Sequence, residues 1–115
     1  MSDPETEGAD AAPAAEPEEA IDADTIDALF ETIEQRKREL PDDSYTASLF
    51  THEKGQNAVL EKLGEESTEL ILAAKDDERN ELAAESADFL YHLLVLFSMK
   101  GMEPDDLRDE LESRF

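Results

Sequence analysis

Two short runs of carboxylates interrupt otherwise apolar helical rows, and any fold this chain adopts has to accommodate them. The first is Lys62-Leu63-Gly64-Glu65-Glu66-Ser67-Thr68-Glu69 and the second is Glu85-Ser86-Ala87-Asp88. On an α-helix, residues four apart lie about 40° apart around the axis, and residues three apart about 60°. Glu65, Glu66 and Glu69 therefore project from one side of their helix, and Glu85 and Asp88 from one side of theirs. The apolar rows around them are Val59, Leu63, Leu70 and Ala73 on the first helix and Leu82, Phe89, Leu93 and Leu96 on the second. Glu66 fills the gap between Leu63 and Leu70, and Asp88 adjoins Phe89 in the most apolar segment of the chain. A carboxylate on a buried seam costs on the order of several kcal/mol unless it is paired or metal-bound. These positions call for a ligand.

The surrounding pattern is helical throughout. A first helix is expected from Asp24, a good N-cap, with Ile26, Leu29, Phe30 and Ile33 as its apolar stripe. Arg36, Lys37 and Arg38 complement the dipole in its last turn, or contact phosphate, and Pro41 stops it. Residues 41–55 read as a long irregular connection, a kind of segment that is often functional. Within it Ser44, Tyr45 and Thr46 offer hydroxyls and a stacking ring, Lys54 offers a charge, and Leu49 and Phe50 serve as an anchor. Helix-forming sequence then runs over 56–75 and, after a turn at 76–78, over 79–100. Gly64 inside the first of these costs about 1 kcal/mol relative to Ala, which suggests close approach of another helix or of a ligand. Gly101 suits a helix C′ position, and Pro104 the first turn of a short last helix with Leu107, Leu111 and Phe115 as its stripe. No strand pattern competes. The expected fold is all-α: a bundle of three main helices plus a short C-terminal helix. Residues 79–100 are apolar nearly all round, more than one small domain can cover, so a homo-oligomer of at least two chains is expected.

Charge narrows the setting. The chain carries 32 acidic and 10 basic residues, a net charge of −22. Residues 1–24 hold nine of the acids and no Lys or Arg, and 1–22 are read as a disordered acidic tail ahead of one domain at 23–115. Such acidity is a halophilic device that high salt screens. It disfavours nucleic acid and anionic membrane as partners. The apolar run 89–97 is too short to span a bilayer, and no signal peptide is visible, so a cytoplasmic protein is expected. With no Cys there is neither a disulfide nor a thiolate metal site.

Five carboxylates on two facing helices form a hard, all-oxygen donor set that suits Mg²⁺, with Mn²⁺ as a substitute. Mg²⁺ takes one or two protein carboxylates and completes its octahedron with water and substrate phosphate. Glu65, Glu66, Glu69, Glu85 and Asp88 are the candidate ligands, and Glu65, Glu66 and Glu69 the candidate catalytic groups, one of which could act as base on a water. Lys54, Lys62 and Arg79 are the cations available for phosphate. His92 follows Asp88 by one turn on the same face and is expected to hydrogen-bond from behind the ligands.

Taken together, the Glu65-Glu66-x-x-Glu69 and Glu85-x-x-Asp88 pair resembles the metal signature of the all-α nucleotide pyrophosphatases. More narrowly, Ser44-Tyr45-Thr46, Gly55, Lys62-Leu63-Gly64-Glu65-Glu66 and the run from Glu85 through Tyr91-His92 to Leu96 resemble the phosphoribosyl-ATP pyrophosphatase family over about residues 27–115. The resemblance implies Mg²⁺-dependent hydrolysis of phosphoribosyl-ATP to phosphoribosyl-AMP and pyrophosphate, in histidine biosynthesis, by a helical homodimer or larger assembly. It also implies a substrate-binding role for Ser44, Tyr45 and Thr46. One departure stands out. The family tends to carry a basic residue just before the position of Val59, where this chain has Asn57 and Ala58, which shifts weight onto Lys54 and Lys62. Two other readings stay open: a nucleoside-triphosphate pyrophosphatase of broader range, and a non-enzymatic acidic interaction module. Against the last stands Glu66, which lies on the apolar seam, whereas charge serving only solubility belongs outside.

Overall fold

The computed structural model describes residues 24–115, and among them five helices and no strand. The acidic tail expected at 1–22 lies outside the described residues. Helix α1 spans Thr25–Glu39, and its N-cap is Asp24, whose side chain accepts from the Ile26 N–H at 2.8 Å. Its end is set by Leu40, held at φ 48° just before Pro41, with the Leu40 N–H bonded to the Arg36 carbonyl. Helix α2, Tyr45–Phe50, stands where a wholly irregular connection was expected. Ser44 caps it by accepting the Ala47 N–H at 3.0 Å, and one buried turn (Thr46, Ala47, Leu49) fixes it to the bundle. The bundle thus has one helix more than three main helices and a terminal one.

Helices α3 (Gln56–Lys75) and α4 (Arg79–Met99) form the main hairpin. The turn between them is a Schellman closure: the Glu78 N–H returns to the Ala73 carbonyl at 2.9 Å while Asp77 sits at φ 57°. The same closure ends α4, with the Met102 N–H on the Phe97 carbonyl and Gly101 at φ 72°. Helix α5, Pro104–Arg114, opens on a reciprocal cap between Glu103 and Asp106. Arg108 ties it back to α1 through Asp24 and Asp27 while also meeting Asp105 within its own helix.

The core is Ile33, Leu49, Val59, Tyr91, Leu94 and Val95, with Leu29, Phe30, Leu63 and Leu90 packed against it. It lies between α1, α2 and the α3–α4 hairpin, so α2 spans one end of the hairpin and carries Tyr45 against it. One expectation needs correcting. Measured over the whole helix rather than over 89–97, α4 is long and apolar enough to cross a bilayer, with a mean hydropathy of 1.3 in its best window. Its face bearing Glu85, Asp88 and His92 is buried in the bundle, which is the arrangement of a core helix.

Candidate active site

Three carboxylates lie inside the hairpin. Glu66 on α3 and Glu85 and Asp88 on α4 are 2%, 0% and 2% exposed. Periodicity explains the placement: each falls on the row that its helix turns toward the other. Behind Glu66 stands His92, fully buried, with Nδ1 at 2.9 Å from Glu66 Oε1 and 3.1 Å from the Asp88 carbonyl. Both of those atoms are acceptors, so Nδ1 carries the proton. In the neutral ring Nε2 is then an acceptor, and the Tyr45 hydroxyl donates to it at 3.1 Å. The result is a directed chain from α2 to α3: the Tyr45 O–H gives to His92 Nε2, and His92 Nδ1–H gives to Glu66. Tyr91 beside it is hydrogen-bonded to the Thr46 hydroxyl, which seats α2 on α4.

Glu65 and Glu69, one turn apart along the same side of α3, open into different cavities. Glu69 is half-buried and lines a cavity of about 230 Å³ with Ala73, Asp76, Glu78, Glu81 and Glu85. Glu81 was not foreseen; its one signal is its spacing, a turn before Glu85 on the same face. A hydrogen bond with the Glu85 carboxylate, then desolvation, then repulsion from the same neighbour raise its pKa above the ordinary carboxylate range. Two carboxylates this close compete for a proton unless a cation lies between them. Glu69 Oε1, Glu85 Oε1 and Asp88 Oδ2 are buried oxygen atoms that accept no hydrogen bond.

These donors suit a hard divalent cation in chemistry and in burial. Among the described residues, no group of three or more His, Asp or Glu side chains is gathered closely enough to hold a metal ion by itself. That agrees with the habit of Mg²⁺, which needs only one or two protein carboxylates when water and phosphate fill the other positions.

The second cavity, of about 190 Å³, brings together Tyr45, Lys54, Lys62 and Glu65, with Ser48, His52 and Ala58 completing the wall. It opens at the first turn of α3, which carries no acidic residue. Lys54 Nζ reaches Glu61 at 3.1 Å there. Of the expected substrate residues, Ser44 and Thr46 lie elsewhere. Ser44 is buried as the α2 cap, and the Thr46 hydroxyl is buried against Tyr91. Arg79, the first residue of α4, is exposed and lines neither cavity. Gly64 immediately precedes Glu65 and Glu66 on α3, and a Cβ built on it would meet nothing within 4 Å, so no other segment of the described chain approaches it. His52 and Ser48 passed unnoticed in the sequence because neither belongs to a periodic row.

Comparison with known proteins bears on this arrangement. Residues 26–115 match the family model described as phosphoribosyl-ATP pyrophosphohydrolase. A phosphoribosyl-ATP pyrophosphatase of Haloarcula marismortui is 75% identical over 91 residues, covering 79% of this chain and 93% of that protein. One from Natronomonas pharaonis is 72% identical over 91 residues, 79% of this chain and 90% of its own length. A third, from Methylococcus capsulatus, is 47% identical over 92 residues, 80% of this chain and 86% of its own length. The first two come from halophiles, in keeping with the acidity of this sequence. A family match over nearly the whole helical part, with relatives this similar, establishes that the chain belongs to the phosphoribosyl-ATP pyrophosphohydrolase family.

Proposed function

We propose that the chain hydrolyses phosphoribosyl-ATP at the α3–α4 hairpin with Mg²⁺ held by Glu66, Glu69, Glu85 and Asp88, and Glu65 at the rim. The observation that carries this reading is the burial of Glu66, Glu85 and Asp88 between two apolar helices. The reaction breaks the P–O bond between the α and β phosphates: water adds, pyrophosphate leaves, and phosphoribosyl-AMP remains. Bound Mg²⁺, or Mn²⁺ in its place, would neutralise phosphate charge and hold substrate and water together. The chain's own residues do the rest. His92 fixes the Glu66 carboxylate through Nδ1–H, and Tyr45 fixes His92 in turn. The proton released by water passes to a carboxylate of α3: Glu65, Glu66 or Glu69. The cavity at Tyr45, Lys54 and Lys62 takes a part of the nucleotide outside the carboxylates, with the Tyr45 ring as its apolar wall. Ser44 and Thr46 serve that cavity by holding α2 in place, and Arg79 serves at most at its distance, as a surface cation.

The enzyme is read as cytoplasmic, acting on a nucleotide substrate as a homo-oligomer of at least two copies. In its favour, Leu60, Ile71 and Leu72 are exposed along the outer side of α3, Ile71 by 55%, and Leu111 and Phe115 are exposed at the C-terminus. Large apolar side chains left exposed in this number are surface that a second copy can cover.

The test is pyrophosphate release in molar salt from phosphoribosyl-ATP and from ordinary nucleoside triphosphates, each with and without Mg²⁺. Release confined to phosphoribosyl-ATP with metal is expected. Activity on common triphosphates alone would point instead to a pyrophosphatase of broader range, and an inert protein to an acidic interaction module.

A further inference from the structure

Of the groups around the Tyr45 cavity, His52 has a geometry that its place in an exposed turn does not require. The turn 52–55 closes twice on this one residue. The Gly55 N–H bonds the His52 carbonyl at 2.9 Å, and the Lys54 N–H bonds the His52 ring at Nδ1, 3.0 Å away. Gly55 holds φ 61°, a conformation that side chains other than glycine's rarely adopt, so the turn is specified by its sequence. A backbone N–H can only donate, so Nδ1 is the acceptor and the proton of the neutral ring lies on Nε2. The ring is thereby oriented as a one-point donor on the wall of the cavity that also holds Tyr45, Lys54, Ala58 and Lys62.

The same wall needs such a donor. Lys54 is engaged by Glu61, with Nζ at 3.1 and 3.2 Å from the two carboxylate oxygens. Ala58 contributes no polar group, and Glu65 offsets one positive charge. Lys54 and Lys62 are thus balanced by Glu61 and Glu65, and an anion entering the cavity depends on N–H donors as much as on net charge. A volume of about 190 Å³ holds one phosphate group or one ring, not a nucleotide. If the triphosphate lies along the buried carboxylates with the metal, the anion left over is the phosphate monoester of the phosphoribosyl arm. We propose that His52 donates its Nε2–H to that phosphate monoester and so helps the site select phosphoribosyl-ATP over plain triphosphates. This rests on the placement of the triphosphate given above.

Two substitutions separate binding from folding. The Oδ1 of Asn stands near the position of Nδ1, so His52→Asn keeps an acceptor for the Lys54 N–H and removes the donor. The amide nitrogen of Gln stands near Nε2, so His52→Gln keeps a donor. In full-length protein with Mg²⁺ in molar KCl, His52→Asn is expected to raise KM for phosphoribosyl-ATP about tenfold with kcat within about twofold, the scale of one hydrogen bond to a charged acceptor. His52→Gln is expected to recover most of that loss. Inhibition by the two products locates the contact: His52→Asn should weaken phosphoribosyl-AMP by the same factor and leave pyrophosphate unchanged. An unchanged KM in His52→Asn, or equal losses in the two variants, would overturn the proposal. So would weaker inhibition by pyrophosphate with phosphoribosyl-AMP unaffected. Loss of far-UV circular dichroism in His52→Asn with normal kinetics in His52→Gln would assign the residue to the turn alone, which also overturns it. A wild type inert on phosphoribosyl-ATP would instead refute the activity itself.

Discussion

The Glu66–His92 pair offers the sharpest energetic test, because both groups are almost without solvent and their partners are few. His92→Leu removes the donor at 2.9 Å and leaves a carboxylate at 2% exposure facing an apolar side chain. Breaking a buried pair by deleting one partner costs about 3–5 kcal/mol, since the remaining charge cannot recover water. Taking the lower figure, and about 4–8 °C per kcal/mol for a domain of this size, the melting temperature should fall by roughly 12–24 °C. Glu66→Leu is not the mirror image. It takes the charge away, and His92 Nδ1–H still has the Asp88 carbonyl at 3.1 Å, so the loss should be about 1 kcal/mol. The double variant, with neither charge nor donor, should be more stable than His92→Leu alone, giving a coupling of at least about 1 kcal/mol. Thermal unfolding followed by circular dichroism in molar KCl with EDTA measures all four proteins free of any metal contribution. Single losses that add within about 0.5 kcal/mol in the double variant would refute the claim that these two side chains are energetically one unit.

Three further outcomes are expected. Asp88→Asn and Glu69→Gln should keep native circular dichroism and lose hydrolysis of phosphoribosyl-ATP by roughly a thousandfold, since each keeps side-chain volume and removes a donor charge; retention of more than about a tenth of turnover would contradict the carboxylate-centred site. Mg²⁺ at about a hundredfold excess over its Kd should stabilise the wild type by about 2.7 kcal/mol at constant ionic strength, and Glu66→Gln by less, as read from melting temperatures. The Ile26 N–H first, and then the charge of Arg108, hold the Asp24 carboxyl below its ordinary value of 3.8. Its contribution is therefore complete above pH 3.8 and disappears as pH falls through the lower folded-state value. Arg108→Ala should move the acid-unfolding midpoint to higher pH, and an unchanged midpoint would show that the Asp24–Arg108 contact contributes nothing.

The sequence yielded more of the frame than of the site. The span Gln56–Lys75 and the start at Arg79 were readable because long helices repeat their apolar rows and end on turn chemistry such as Asp76–Glu78. The Asp24 cap and Pro104 start were legible for the same local reason. Helix α2 was not, since a six-residue helix has too few turns to show a period; Ser44, read as a ligand contact, was its cap signal. The burial of Glu66 was inferable from its neighbours in the row, whereas the separation of Glu65 and Glu69 into two cavities depends on where α2 and the α3–α4 turn lie. His92 was expected behind the ligands from its spacing to Asp88, but its bond to Tyr45 spans 47 positions in the chain and has no local trace. Glu81 was passed over because an exposed glutamate in a chain this acidic carries no distinguishing mark.

The short closure between α3 and α4 has a kinetic side. A hairpin whose two helices are separated by three residues forms with little loop entropy, so its contacts are among the first that the chain can make. Here the earliest interface to assemble is also the one that carries Glu66, Glu85 and Asp88, and the repulsion among these groups is met before α1, α2 and α5 have docked. Electrolyte present during synthesis then acts on the rate of folding as well as on the final state. Charge-removing substitutions at these three positions should speed refolding in dilute buffer and do little in molar salt, where the barrier they relieve is already screened.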